Sequence, residues 1–141
     1  MASRTWLDTL KKSFVDVPIY TDADNGIATT EFLEASESLA TLFGNGLDFT
    51  AQALRNNVSE PTTELSDSFR NAYGCTLKPH HSFIVKPIFS AAMSATPYRK
   101  DFYAKLVEDP VQCSAALEQW VEALEKRVAI LKEFQARDKA K

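Results

Sequence analysis

The chain is short of the residues that build most reaction centres, with 2 histidines, 2 cysteines and 4 glycines among 141 residues. His80 and His81 are adjacent. On a helix, neighbours at i and i+1 point in different directions, so the two cannot share a metal through one face. Cys75 and Cys113 lie far apart with no paired spacing, which fits reduced thiols rather than a disulfide or a zinc site. A Gly-rich phosphate loop, HExxH, CxxC and GxSxG are all missing. Carboxylates are plentiful, yet none forms a motif tying a nucleophile to a base. These absences argue against an enzyme, a metal site and a bound cofactor. Positive charge is also scarce: a formal net charge of −3 excludes a generic nucleic-acid binder. The amino terminus has no apolar signal region and neither end carries a lipidation signal. The longest apolar stretch is interrupted by Lys86 and Pro87 and is too short to span a bilayer. A cytoplasmic protein is expected.

What is present is helical periodicity. Residues 1–141 suit a single domain, and 45% hydrophobic content suffices for a core without staples. Trp6, Leu10 and Phe14 predict a first helix over residues 4–16. A polar turn, Thr21 to Gly26, is rich in residues that tolerate left-handed backbone. Thr29 or Thr30 is expected to cap a helix striped by Phe32, Ala35, Leu39, Leu42 and Phe43, which Gly44-Asn45-Gly46 is expected to break. Leu47 to Val58 and Leu65 to Tyr73 stripe two more helices, the second stopped near Gly74. Thr96-Pro97 and Asp109-Pro110 read as cap-plus-N1 starts, the second with Gln112 at the capping-box position. The final helix carries Leu117, Val121, Leu124, Val128 and Leu131, flanked by Trp120 and Phe134, with Lys132, Arg137, Lys139 and Lys141 toward its negative end. No strand pattern stands out, and the expected fold class is all-α.

The run from His81 to Met93 is apolar on most sides, as expected of a helix covered on both flanks, with a kink or opened turn at Pro87. His80 reads as a solvated or capping residue. His81 has two readings: a core-edge histidine satisfied by a backbone carbonyl, or a polar group at the mouth of an apolar cavity, orienting a ligand by one hydrogen bond. Polar atoms at such a mouth suit an amphipathic lipid, with phenylalanines sheathing its hydrocarbon.

The segments Leu65-Ser-Asp-Ser-Phe-Arg-Asn-Ala-Tyr73, Leu77-Lys-Pro-His-His-Ser-Phe83, Lys86-Pro-Ile-Phe-Ser-Ala-Ala-Met93 and Pro97-Tyr-Arg-Lys-Asp-Phe102 resemble the glycolipid transfer proteins, most of all the fungal heterokaryon-incompatibility branch. Lys12 to Ile19 and Thr30 to Ala35 resemble that branch as well, so the likeness spans nearly the whole chain in order. The resemblance implies an all-helical two-layer sandwich carrying one glycosphingolipid between membranes, its ceramide in a tunnel between the layers. It implies a histidine on the ceramide amide, matched here by His81. It implies a tunnel wall at Phe49, Phe83, Phe89, Phe102 and Leu106. Lys78, Lys86, Arg99 and Lys100 lie near the implied tunnel mouth and are expected to face a transient membrane surface.

The sequence departs from that pattern between Phe43 and Gly46, where several dozen residues of the family are missing. With them go the family's Asp-x-x-x-Asn-x-x-Lys sugar motif and its stacking Trp. Asp67 and Asn71 reproduce the first spacing, but Gly74 stands where the Lys belongs and the residues sit in another family segment. The expected architecture is therefore a shortened sandwich, a bundle of six or seven helices, with impaired headgroup recognition. Uncovered apolar faces invite self-association. A helical protein-interaction module and a non-functional truncated product remain the alternatives.

Overall fold

A computed structural model describes the backbone of residues 10–106 and 110–138, and the side chains of these except 110–113 and 138. Among the described residues the fold is helical: five α-helices, two 3₁₀ turns and one minimal hairpin. The helices are α1 (Thr29–Ser59), α2 (Leu65–Cys75), α3 (Val85–Ser94), α4 (Arg99–Leu106) and α5 (Pro110–Asp138). The chain divides into two compact units, residues 1–44 and 45–141.

In the first unit, residues 10–13 are not helical, and a 3₁₀ turn at Phe14–Asp16 replaces the end of the expected first helix. Ser13 Oγ accepts from the Val15 amide at 3.2 Å and sets that turn. The rest of the expected helix, including Trp6, lies outside the described residues. A hairpin absent from the sequence reading follows. β1 (Ile19–Tyr20) pairs antiparallel with β2 (Gly26–Ile27), too short for alternation to register in the sequence. Its loop is the polar turn read from the sequence, with Asp24 (φ 55°) and Asn25 (φ 58°) in the left-handed region. The opening turns of α1 are tied down by Ser38, whose Oγ accepts from the Lys11 and Lys12 amides at 2.9 and 3.3 Å. Phe14 packs on Phe32 at 5.6 Å.

The expected break at Gly44-Asn45-Gly46 does not occur, because α1 runs continuously from Thr29 to Ser59. A glycine in a helix interior costs only about 1 kcal/mol relative to alanine, and the long amphipathic segments on both sides outweigh two of them. Gly46 has open space where a Cβ would stand, so no close approach demands glycine there.

In the second unit, Ala51, Ala53 and Asn57 on α1, Leu65, Ser68, Ala72 and Tyr73 on α2, and Val121 and Val128 on α5 are buried. Thr76 closes α2, its Oγ1 donating to the Ala72 carbonyl at 2.7 Å. Pro110 occupies the first position of α5, as expected; Gln112 and Cys113 side chains, and Lys139 and Lys141, lie outside the described residues. The inward stripe of α5 is fastened to α1 by a bidentate pair, Arg55 to Glu125 at 2.6 and 2.9 Å. Lys132, expected to serve the helix dipole, instead reaches Asp48 on α1 at 2.7 Å.

The His81–Met93 run corrects the expectation of a fully buried helix. Its first residues form a turn after the 3₁₀ segment Lys78–His80, and α3 begins only at Val85. One line of residues, His81, Val85, Phe89 and Met93, is covered, while Phe83 (81% exposed) and Ile88 (63%) are open. Pro87 makes no kink because it falls in the first turn, where amides have no intrahelical acceptor to lose. The Thr96-Pro97 start is also displaced. Thr96 Oγ1 donates to the Met93 carbonyl and ends α3, and Tyr98 takes the capping position of α4, its carbonyl accepting from the Asp101 and Phe102 amides.

Candidate functional site

The second unit contains an aromatic cluster built where α1, α2 and α3 meet. α2 places Phe69 and Tyr73 one turn apart, and α1 brings Phe49 against them at ring separations of 5.4 and 6.4 Å. From α3, Phe89 stacks on Tyr73 at 5.5 Å with an 11° interplanar angle. Leu77 and Met93 close the cluster from below. His81 sits at its edge, with its ring 4.4 Å from Phe89 and its Nδ1 3.2 Å from the Tyr73 hydroxyl.

The chemistry of this corner follows from burial. Loss of water lowers the His81 pKa below its ordinary value, and the neighbouring His80 and Lys86 push the same way electrostatically. The imidazole is thereby held neutral near pH 7. The same burial raises the Tyr73 pKa, so the phenol keeps its proton. When that proton is donated to Nδ1, the imidazole carries its own on Nε2. The pair then presents a neutral N–H donor beside an apolar aromatic wall, suited to an amide carbonyl attached to hydrocarbon.

The structure gathers part of the expected set. His81, Phe49 and Phe89 come together here. Phe83 lies in the exposed turn before α3 and contributes nothing to the cluster wall. Phe102 is half-buried on α4, edge-on to Tyr103 at 5.4 Å, and Leu106 is exposed farther along that helix. Lys78, Lys86 and Lys100 are exposed. Arg99 is placed otherwise. Its guanidinium turns inward to the Asn57 carbonyl (2.5 Å) and side-chain Oδ1 (2.6 Å) and lies 4.6 Å over the Tyr103 ring. Those partners satisfy it within the fold, so it does not stand with the lysines.

Two features escaped the sequence reading. In the sequence Tyr73 is one member of an apolar stripe, and its position eight residues before His81 is the available signal. The other is a buried polar node on Asn57, which is fully buried. Its Nδ2 donates to the Thr63 carbonyl and Ser68 Oγ, both at 3.0 Å, and its Oδ1 accepts from Arg99 and from the Tyr103 hydroxyl at 3.0 Å. Beside it, Pro61, Glu64, Tyr98, Lys100 and Tyr103 line an open cleft of about 460 Å³. Among the described residues no cluster of side chains could hold a metal ion, and no helix is long and apolar enough to cross a membrane.

Comparison with known proteins places the chain in a family. The family pattern described as glycolipid transfer protein matches residues 44–108. A glycolipid transfer protein of Aureobasidium melanogenum is 43% identical over 195 aligned positions, covering 97% of this chain and 96% of the relative. That share of a 141-residue chain is about 137 residues, so close to sixty of the aligned positions have no counterpart in this chain. Human pleckstrin homology domain-containing family A member 8 is 34% identical over 106 residues, 69% of this chain but a fifth of that protein. Among solved structures, the fungal glycolipid transfer protein HET-C2 superposes with a TM-score of 0.63 at 42% identity, over 92% of this chain and 96% of that one.

Proposed function

Because this chain belongs to the glycolipid transfer protein family, we propose that it binds a glycosphingolipid and transfers it between membranes with impaired recognition of the sugar headgroup. The observation that carries the reading is the His81 corner: a neutral imidazole, hydrogen-bonded to Tyr73 and packed on Phe89, at the rim of an aromatic cluster. An amide carbonyl there accepts a hydrogen bond from the Nε2–H while acyl chains part the rings of Phe49 and Phe89. The rings touch edge to face or stacked and are not interlocked by polar bonds, so hydrocarbon can replace ring contacts at little electrostatic cost.

The impairment follows from the missing positions. We place them at the junction between Phe43 and Gly46, immediately where the family match begins. A sugar held by several donors and acceptors is selected strongly because rejected analogues leave those groups unpaired. One hydrogen bond from His81 supplies only about 1 kcal/mol net and reads the amide, not the sugar. Exposed Lys78, Lys86 and Lys100, with Phe83 among them in sequence, serve the membrane encounter: cations for anionic headgroups and an aromatic for the interface.

The test is transfer of fluorescent lipid between vesicles. Transfer is expected above the protein-free rate, with similar rates for a glycosylated sphingolipid and its unglycosylated ceramide. His81→Leu should slow both about fivefold, as loss of one neutral hydrogen bond of about 1 kcal/mol implies. A rate equal to the protein-free control would sink the proposal. Strong preference for the glycosylated lipid would overturn the impaired-headgroup part alone.

A further inference from the structure

Helix α5 carries two apolar stripes, and among the described residues only one is buried. The inner stripe contains the buried Val121 and Val128. The outer one runs through Ala116, Trp120, Ala123, Arg127, Ile130 and Phe134, at alternating steps of four and three residues. That step is the seam of a two-helix coil, set roughly a third of a turn around α5 from the buried stripe. Trp120 is 54% exposed, Ile130 64% and Phe134 61%, although large apolar side chains spaced as a seam ordinarily meet a partner.

We propose that this outer stripe is a dimer interface, on which α5 packs antiparallel against α5 of a second copy of this chain. The stripe is complementary to itself in that orientation. Setting Ala123 opposite Phe134 of the second copy places a small residue against a large one, and the two-fold axis repeats the contact. The same register sets Trp120 opposite Arg137, a cation against an indole face. It sets Arg127 opposite Ile130. The Arg127 guanidinium is folded back onto the Ala123 carbonyl at 2.8 Å, so its methylene stem is what the seam meets. Along the flank, Lys126 comes near Glu133 of the second copy. In the single chain, Lys126 pairs with Glu122 at 2.8 Å and Glu133 with Arg137, both exposed pairs that contribute little and exchange partners at small cost. A parallel pairing would stack Arg127 on Arg127 at the centre of the seam, which selects the antiparallel arrangement.

The exposed parts of Trp120, Ile130 and Phe134, with the stems beside them, amount to roughly 1,000 Å² across two copies, the lower margin for a specific interface. The dimer is therefore expected to be reversible and concentration-dependent. Sedimentation equilibrium of the full chain over a broad concentration range should show a monomer–dimer transition. Trp120→Glu and Ile130→Glu should each give monomer throughout, with thermal melts at low concentration little changed because both side chains are more than half exposed in the single chain. In a background with both native cysteines replaced by serine, the pair Ala123→Cys and Phe134→Cys should form an intermolecular disulfide joining position 123 of one copy to position 134 of the other. A monomer at every concentration, or a dimer indifferent to both glutamates, would overturn the proposal. Disulfides joining only like positions would overturn the antiparallel register. Binding of the monomer to phosphatidylcholine vesicles, lost in Trp120→Glu, would replace the second copy with a bilayer as the occupant and also overturn it.

Discussion

The aromatic cluster at His81 and the polar node at Asn57 are both built on α1 and α2, yet they are held by opposite kinds of force. Around Phe49, Tyr73 and Phe89 the contacts are ring against ring, non-directional and exchangeable, with one hydrogen bond at the margin. Around Asn57 four directional bonds converge on one fully buried amide, including two from the Arg99 and Tyr103 side chains. Hydrocarbon can enter the first region and replace what it displaces. Nothing enters the second without stranding a buried donor or acceptor. The difference teaches where the proposed lipid entry costs least: at the apolar corner, while the polar node keeps α1, α2 and α4 in register.

The comparison breaks most sharply at Asn57. Asn57→Ala deletes the four side-chain hydrogen bonds of a fully buried amide and leaves a small cavity, and is expected to cost about 3 kcal/mol in urea unfolding, although Arg99 keeps the backbone carbonyl at position 57 and Ser68 keeps the Glu64 carbonyl. A loss under about 1 kcal/mol would show the node to be dispensable. Phe89→Ala removes a half-buried ring from the cluster and should cost about 2 kcal/mol, below the range for fully buried phenylalanine, while abolishing measurable lipid transfer. If transfer survives, the cluster is not the lipid site. Arg55→Gln should cost about 1 kcal/mol by the same denaturant method, since the Arg55–Glu125 pair is bidentate but partly exposed and screened. High salt should shrink that difference.

The smallest effect is a pH dependence. Burial lowers the His81 pKa in the folded chain beneath its ordinary 6.5. Between that depressed value and about 6.5 the unfolded chain binds the proton more readily, so stability rises with pH through that window and is fully present above it. Wild-type protein should therefore lose stability on acidification from pH 7 to below 6, and His81→Leu should lose less. Equal slopes for the two would remove His81 from the account. The same protonation places a charge at the rim of the cluster, so lipid transfer should fall in the same direction.

Much of the helical layout was legible in the residues themselves. The stripes of α2 and α5 follow from three- and four-residue spacing, and Asp24 and Asn25 announced a left-handed turn, because these signals are local. That His81, Phe49 and Phe89 would lie together was an expectation from likeness to a family rather than from spacing, since they come from different segments, and the fold does bring their rings together. What could not be read locally was decided by packing. Whether Gly44-Asn45-Gly46 ends a helix depends on what the flanking turns gain, and here α1 continues through it. Whether an apolar run is buried depends on how many neighbours exist to cover it, and α3 has one covered line. Whether Arg99 faces solvent depended on Asn57, forty-two residues earlier, presenting an oxygen at 2.6 Å. Periodicity and turn chemistry are properties of neighbouring residues and are written in the sequence; burial and the partner of a charge belong to segments that only the fold brings together.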